Sequence, residues 1–321
     1  MKIQEILLPV FLPLLVYLPL GGCGDETAEE AQLAAGSGGA VEAGAGGATG
    51  SSVGGSAGEA ALGGQGGGSG EIHEIPFEAR VGSETFSCQK TFTGIGTAKS
   101  EVQPLDFRFY VHDVRLVTEG GQEVPFELDQ DGVWQYEGLA LLDFEDKTGS
   151  CTNGTVGLHT GLRGKVPAGI YKGLRFKVGV PFALNHGDSA KAPSPLNLST
   201  MFWSWNGGYK FLRVDFKLKG GAPRNLHLGS TGCQGQGDGV TSCSHPNRPE
   251  IALDGFDLTS SKVLIDYAAL MADTDLSKDG GGAPGCMSGV DDPECAAIFP
   301  RLGLSLQTGV PEGKQVTFRL E

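Results

Sequence analysis

The sequence predicts a mainly β protein: an antiparallel β-sandwich with long loops and one or two short helices, stapled by disulfides. Three observations predict it. Period-two alternation of apolar and polar residues recurs in several separate segments, as in strands with one buried and one wet face. Gly, Pro, Asn and Asp punctuate those segments at turn-like intervals. An even number of cysteines follows what reads as an export signal.

The first element is an address. Met1–Leu20 carries one Lys near its start and then a run of Ile, Leu, Val and Phe, ending in Leu20-Gly21-Gly22-Cys23. A short apolar core followed by small residues is the pattern of a secretory signal. The core is too short for a comfortable membrane span, and Pro9, Pro13 and Pro19 interrupt it. A Cys directly after Leu-Gly-Gly resembles the bacterial lipobox, so residues 1–22 read as a lipoprotein signal peptide and Cys23 as the lipidated N-terminus. That places the protein on the bacterial outer membrane, facing the periplasm or the cell surface.

The second element, residues 23–70, is a tether. Of the 53 glycines in the 321-residue chain, 17 fall between Gly24 and Gly70, with no aromatic residue among them. Such a segment cannot bury enough apolar surface to offset its chain entropy. As a flexible coil it has an end-to-end distance of roughly 35–40 Å. The same stretch holds six carboxylates and no Lys or Arg, so it carries −6 of the net charge of −14. No Lys/Arg-rich run occurs anywhere. Nucleic-acid binding through phosphate neutralisation is excluded on that ground, as is a polybasic lipid-binding patch.

The third element, residues 71–321, is long enough to bury a core as a single domain. Ile75, Phe77, Ala79 and Val81 alternate with Pro76, Glu78 and Arg80. Leu174, Phe176, Val178 and Val180 alternate with Arg175, Lys177 and Gly179, and Leu212, Val214, Phe216 and Leu218 with Arg213, Asp215 and Lys217. Phe107–Val117, Trp134–Phe144, Pro249–Gly255, Lys262–Tyr267 and Gln315–Leu320 are further predicted strands. Tyr267–Leu276 and Pro293–Phe299 are predicted short helices.

Setting Cys23 aside leaves Cys88, Cys151, Cys233, Cys243, Cys286 and Cys295, which allow 15 pairings. Cys233/Cys243 and Cys286/Cys295 lie close in sequence within Gly-rich turns, and closing such short loops stabilises by about 2–3 kcal/mol on the chain-entropy model. That choice leaves Cys88/Cys151. No C-x-x-C occurs, so zinc-ribbon spacing is absent.

Chemistry-bearing residues are sparse. His73, His112, His159 and His245 read as solvated or structural. His186 and His227 stand apart because a stretch rich in aromatics, Pro195–Phe211, runs between them with Met201, Trp203 and Trp205. Aromatic core filling and a soft-metal site with imidazole and thioether ligands are both open on these residues. The acidic run Asp273–Gly280 lacks the Gly and Glu an EF-hand loop needs and reads as a solvated turn. No G-x-S-x-G nucleophile motif is present. Asp143 and Glu145 read as strand-alternating surface carboxylates.

Several ordered motifs together resemble one family. They are Asp106–Leu116, Asn185-His186, Pro195-Leu196-Asn197, Met201–Trp205, Gly208–Phe211, His227–Cys233 and Gly285-Cys286-Met287. From roughly Ile75 to Leu304 the chain resembles the MbnP-like proteins, also called metallo-mystery pair system four-Cys motif proteins. The resemblance implies a non-enzymatic, exported copper-binding protein that works beside a di-haem c-type partner of the MauG/cytochrome c peroxidase type, in copper handling. It implies His186 and His227 as copper ligands, with Met201 lining the site. Trp203 and Trp205 become the candidates for oxidation to kynurenine, and the four cysteines of the family's name fall on Cys233, Cys243, Cys286 and Cys295. Cys88 and Cys151 are additional to that pattern. A reading from another class is a ligand-binding or adhesive β-sandwich that uses the Trp203/Trp205 loop. A copper mono-oxygenase resembling the histidine-brace enzymes is disfavoured, since it needs a free N-terminal His where this chain has acylated Cys23.

Overall fold

The computed structural model describes residues 70–204, 206–236 and 239–321. The predicted signal peptide, Cys23, the predicted tether up to residue 69 and Trp205 lie outside the described residues.

Two sheets form a sandwich. The smaller runs, in spatial order, Phe318–Leu320, Val263–Asp266, Glu71–Val81, Gly161–Val166 and Glu127–Leu128, with Glu84–Thr85 folded back on the end of Glu71–Val81. The larger runs Glu250–Asp254, Tyr171–Val178, Ser100–Thr118, Leu212–Leu218, Pro223–Leu228 and Gly285–Cys286. Its organising element is the 19-residue strand Ser100–Thr118, against which Phe92–Ile95, Glu123–Pro125 and Leu139–Asp143 also pair. Pairing is antiparallel with two exceptions among the described strands. Glu71–Val81 lies parallel to Val263–Asp266, and Pro223–Leu228 lies parallel to Gly285–Cys286. Both exceptions join segments far apart in sequence, for which local alternation carries no direction.

The alternating residues meet between the sheets. Phe77 of the small sheet packs edge-on against Phe109 and Phe176 of the large one, at ring-centroid distances of 6.3 and 5.7 Å. Phe318 does the same from the edge strand, on the far side of Val263–Asp266, at 5.7 and 5.5 Å. Each such ring, fully buried, is worth about 1.5–3 kcal/mol in removed apolar surface, and edge-to-face geometry adds to it.

The other face of the large sheet is covered as well. Tyr110, Leu139, Leu141, Val180, Leu196, Met201, Tyr209 and Phe211 form a second, smaller cluster there. Its covering segment is clamped by two phenols: Tyr110 Oη donates to Pro195 O at 3.1 Å and Tyr209 Oη to Leu196 O at 2.6 Å.

The three disulfides are Cys88–Cys151, Cys233–Cys243 and Cys286–Cys295. The helices are shorter than the sequence predicts. Tyr267–Leu276 is helical only over Tyr267–Leu270, capped by Asp266, whose carboxylate accepts from Ala268 and Ala269 N–H. Beyond it the run Asp273-Thr274-Asp275 offers the backbone side-chain partners that compete with a helix. Pro293–Phe299 resolves into two 3₁₀ turns, Pro293–Cys295 and Phe299–Leu302. The last strand shrinks to Phe318–Leu320, because the Gln315 side chain accepts the Thr317 and Phe318 N–H groups. An additional turn of helix, Phe182–Asn185, delivers His186.

Candidate metal centre

The outer face of the large sheet places a row of polar residues side by side. Register pairs His227 with Arg213, Arg213 with Arg108, and Arg108 with Asp143 across four adjacent strands; a bridge then joins Asp143 to His159. In the next row Asp215 pairs with Asp106. By alternation these residues belong to the wet side of their strands. The covering segments enclose them instead: Asp106, Arg108, Asp143 and Glu145 are fully buried.

Burial of so many charges requires pairing. His227 Nε2 lies 2.9 Å from Asp215 Oδ1 and 3.2 Å from Oδ2. Arg213 Nε donates to Asp215 Oδ2 at 2.7 Å, and its Nη1 sits 3.2 Å from Asp106 Oδ2. Arg108 forks onto both Asp106 oxygens, and its Nη1 lies 3.9 Å from Glu145 Oε1. A continuous chain of charges therefore runs from His227 to Glu145. Burial pushes the Asp215 carboxyl up, but the His227 hydrogen bond and the Arg213 charge outweigh it and hold the group below the ordinary carboxylate range. The ionised carboxylate accepts Nε2–H, which leaves the lone pair of His227 on Nδ1. A carboxylate behind a histidine is the arrangement that orients an imidazole as a metal ligand.

Asp143 and Glu145 are a correction to the sequence reading: they are core residues, not surface carboxylates. Burial raises Asp143 to about 8 and raises Glu145 as well, against the lowering pull of Thr155 and Arg108. The period-two pattern misled here because both faces of the strand are covered.

His186 follows the turn Phe182–Asn185. Asn185 Oδ1 accepts Tyr209 N–H at 3.0 Å, so the amide nitrogen is the atom that faces His186 Nε2 at 3.0 Å. It donates, and Nε2 therefore carries the lone pair. The Cys243 sulfur is 3.5 Å from the same Nε2.

The hairpin Phe202–Ser204/Gly208–Tyr209 reaches the surroundings of both histidines. Tyr209 and Gly208 press on Asn185, next to His186; a Cβ at Gly208 would overlap the Asn185 side chain, and its φ of +73° suits glycine. On the other strand the Trp203 ring lies 6.1 Å from the His227 ring. Gly229 admits that indole: a Cβ there would sit 2.5 Å from Trp203 Cζ3 and 2.8 Å from Tyr209 O.

Met201 and Trp203 do not share a face. Ser199–Met201 is a 3₁₀ turn, and only Phe202–Ser204 is extended. Met201 is fully buried in the second cluster, where Phe202 joins it against Tyr209 at 5.0 Å. Trp203 points the other way, to His227. The remaining histidines occupy structural places. Burial lowers His112 to about 4, and its Nδ1 is 2.8 Å from Gly179 O. His159 stacks flat on Trp134 at 5.5 Å. His245 Nε2 lies 3.1 Å from Gln307 O, and His73 is 3.6 Å from Glu71. The pairings Asp215–His227 and Asn185–His186 were not anticipated. Asn185 precedes its histidine directly, and Asp215 alternates with Arg213 in a strand, so only tertiary placement reveals Asp215.

A family model described as MbnP matches residues 70–288. The chain belongs to the MbnP family. The solved structure of MbnP from Methylosinus trichosporium is similar to it, with a TM-score of 0.70 and 31% sequence identity over 78% of this chain and 98% of that one. Comparison with curated proteins gives no match. The MbnP match stops at residue 288, between Cys286 and Cys295, while the fold continues to the closing strand Phe318–Leu320.

Proposed function

We propose that this MbnP-family protein binds copper through His186 and His227 and acts as a copper-handling protein, not an enzyme. The observation that carries the reading is that one hairpin both holds Asn185, the residue before His186, and sets Trp203 beside His227. The donor set fits copper. Imidazole nitrogen suits it, whereas the carboxylates nearby, which a hard cation would need, are consumed in ion pairs with Arg108 and Arg213. Copper would supply a Lewis-acidic, redox-active centre. The chain supplies orientation: Asp215 fixes His227 as the Nδ1 ligand, and Asn185 N–H keeps the His186 lone pair on Nε2, a bond that copper would replace. Met201 supports the hairpin from below.

Trp203 is the residue proposed for oxidation to kynurenine by a di-haem c-type partner of the MauG type, with peroxide as the oxidant and the indole C2 released as formate; Trp205 is the second candidate. Ring opening would place an aryl amine and a ketone beside His227, where an indole N–H can only donate. Trp203 is half-buried against His227, which suits a site residue better than the exposed stacking platform an adhesive sandwich would need. Lipidation at Cys23 and outer-membrane attachment complete the proposal.

The test is copper titration of the folded domain, expressed with and without the di-haem protein, alongside His186→Ala and His227→Ala. Stoichiometric binding that falls at least about tenfold in either variant supports the ligand assignment, by the scale of losses at metal sites. Binding at parental strength in a folded double variant overturns it. Peptide mass spectrometry reads the modification of Trp203 and Trp205 separately.

A further inference from the structure

One of the three disulfides differs from the others in both exposure and company. Cys88, Cys151, Cys286 and Cys295 are at most 3% exposed. Cys233 and Cys243 are only half-buried, opposite one another in the hairpin Thr231–Gln236/Gly239–His245. Thiol–disulfide exchange needs an attacking thiolate to reach a sulfur, so access ranks this bond first for reduction. It also lies against a metal-competent imidazole. A His186 ring nitrogen, Cys233 Sγ and Cys243 Sγ all fall within 4.8 Å of one another, and Cys243 Sγ is 3.5 Å from Nε2.

We infer that Cys233–Cys243 is a reducible latch over a second metal site: reduction converts it, with His186, into a bis-thiolate–imidazole site for a soft d¹⁰ cation such as Cu(I). The reductant is a dithiol. Its thiolate attacks one sulfur, the S–S bond breaks, and two electrons and two protons pass to Cys233 and Cys243 while the dithiol leaves as its own disulfide. The cation then displaces the two thiol protons to solvent. Metal–sulfur bonds of about 2.3 Å and a metal–nitrogen bond of about 2.0–2.1 Å require the two sulfurs to stand about 4 Å apart. The present three-atom cluster reaches that arrangement by side-chain rotation within the hairpin. His186 Nε2 already carries its lone pair, and binding exchanges the Asn185 N–H for the metal. Thiolate and imidazole are the ligand types that select Cu(I) over hard cations.

The site shares His186 with the proposed copper centre but needs neither His227 nor Trp203. The experiment therefore uses His227→Ala. The domain is treated anaerobically with limiting dithiothreitol, freed of it, and titrated with Cd²⁺ and with Cu(I). The inference expects Cys233 and Cys243 to be alkylated before any other cysteine. It also expects one Cd²⁺ per chain with a thiolate-to-metal absorption band, and protection of both thiols from alkylation by either metal. Adding His186→Ala, which leaves the disulfide in place for folding, lowers affinity by about tenfold or more. Earlier opening of Cys88–Cys151 or Cys286–Cys295 overturns the inference. So does a metal band that survives His186→Ala at full affinity, or one that persists in Cys233→Ser/Cys243→Ser. Failure of the His186/His227 centre would instead show as lost copper binding by the oxidised parent and leave these results unchanged.

Discussion

The two faces of the large sheet are built by opposite means. The inner face is apolar and directionless. Phe107, Phe109, Val111, Leu174, Phe176, Val214 and Phe216 meet the small sheet, and any well-packed set of similar volume would serve. The outer face of the same strands carries Asp106, Arg108, Tyr110, His112, Arg213 and Asp215, and a second cover buries most of them. There each group must find a particular partner, because an unpaired buried charge costs several kcal/mol. The inner face holds the fold together. The outer face spends part of that stability to fix a histidine, and it is where the proposed copper site lies.

The largest expected effect breaks the inner face. Phe109 touches Phe77, Phe144 and Phe318. Phe109→Ala should cost about 3–5 kcal/mol in denaturant unfolding, as large-to-small core changes do. The molecules that remain folded should bind copper as the parent does, since the ring lies on the far side of the sheet from His227. A matching loss of affinity would mean that the two faces are not separable.

The next breaks the outer face. Arg108 is fully buried between Asp106 and Glu145. Arg108→Met keeps volume and removes the cation, leaving Glu145 without its cation and Asp106 with Arg213 alone. A loss of about 3 kcal/mol at pH 8 follows from the cost of orphaning a buried charge. The loss should be smaller at pH 5, where Glu145 and Asp143, both raised by burial, take up protons. Urea midpoints at the two pH values measure it, and equal losses would show that Arg108 acts by packing alone. Because Arg213 also touches Asp106 Oδ2, the Asp215–His227 pair should loosen too, so copper affinity falls here where it does not in Phe109→Ala.

Sequence alternation made the inner face legible in advance. Ile75, Phe77, Ala79 and Val81 are buried in the predicted order, and the short-loop choice of Cys233–Cys243 and Cys286–Cys295 yields the observed third pair. The outer face was not legible. Alternation marks Arg108, Asp143 and Asp215 as polar and stops there; whether a polar face meets water or a second cover depends on where residues 145–159 and 180–211 fold back. The 3₁₀ turn at Ser199–Met201 was hidden for a similar reason. A run of Ser, Thr, Met, Phe and Trp is compatible with a strand, and only the packing of Met201 beneath Tyr209 breaks the period.

The smallest effect sharpens the comparison by isolating one outer-face group. Asp143 Oδ1 accepts Glu145 N–H at 3.1 Å and Oδ2 accepts the Thr155 hydroxyl at 2.7 Å. Burial raises its folded-state value to about 8, against about 3.9 in the unfolded chain. The folded protein therefore holds a proton that the unfolded chain releases. The stability tied to that proton is complete below about pH 4 and is lost as pH climbs through the folded value near 8. Asp143→Asn fixes the neutral form. The amide oxygen keeps the Glu145 bond, and the amide nitrogen donates to Thr155 Oγ1, whose own hydrogen can turn to Gly157 O, now 3.4 Å away. Parent and variant should have similar stability at pH 4. The variant should then gain on the parent steadily, to on the order of 2 kcal/mol by pH 8, each unit of raised pKa being worth at most about 1.4 kcal/mol. Urea midpoints at pH 4, 6 and 8 read the difference. Parallel profiles would mean that Asp143 is ionised throughout and that Arg108 compensates two carboxylates at once; the outer row would then be a fixed ion network from Asp215 to Asp143 rather than one ending in a protonated acid.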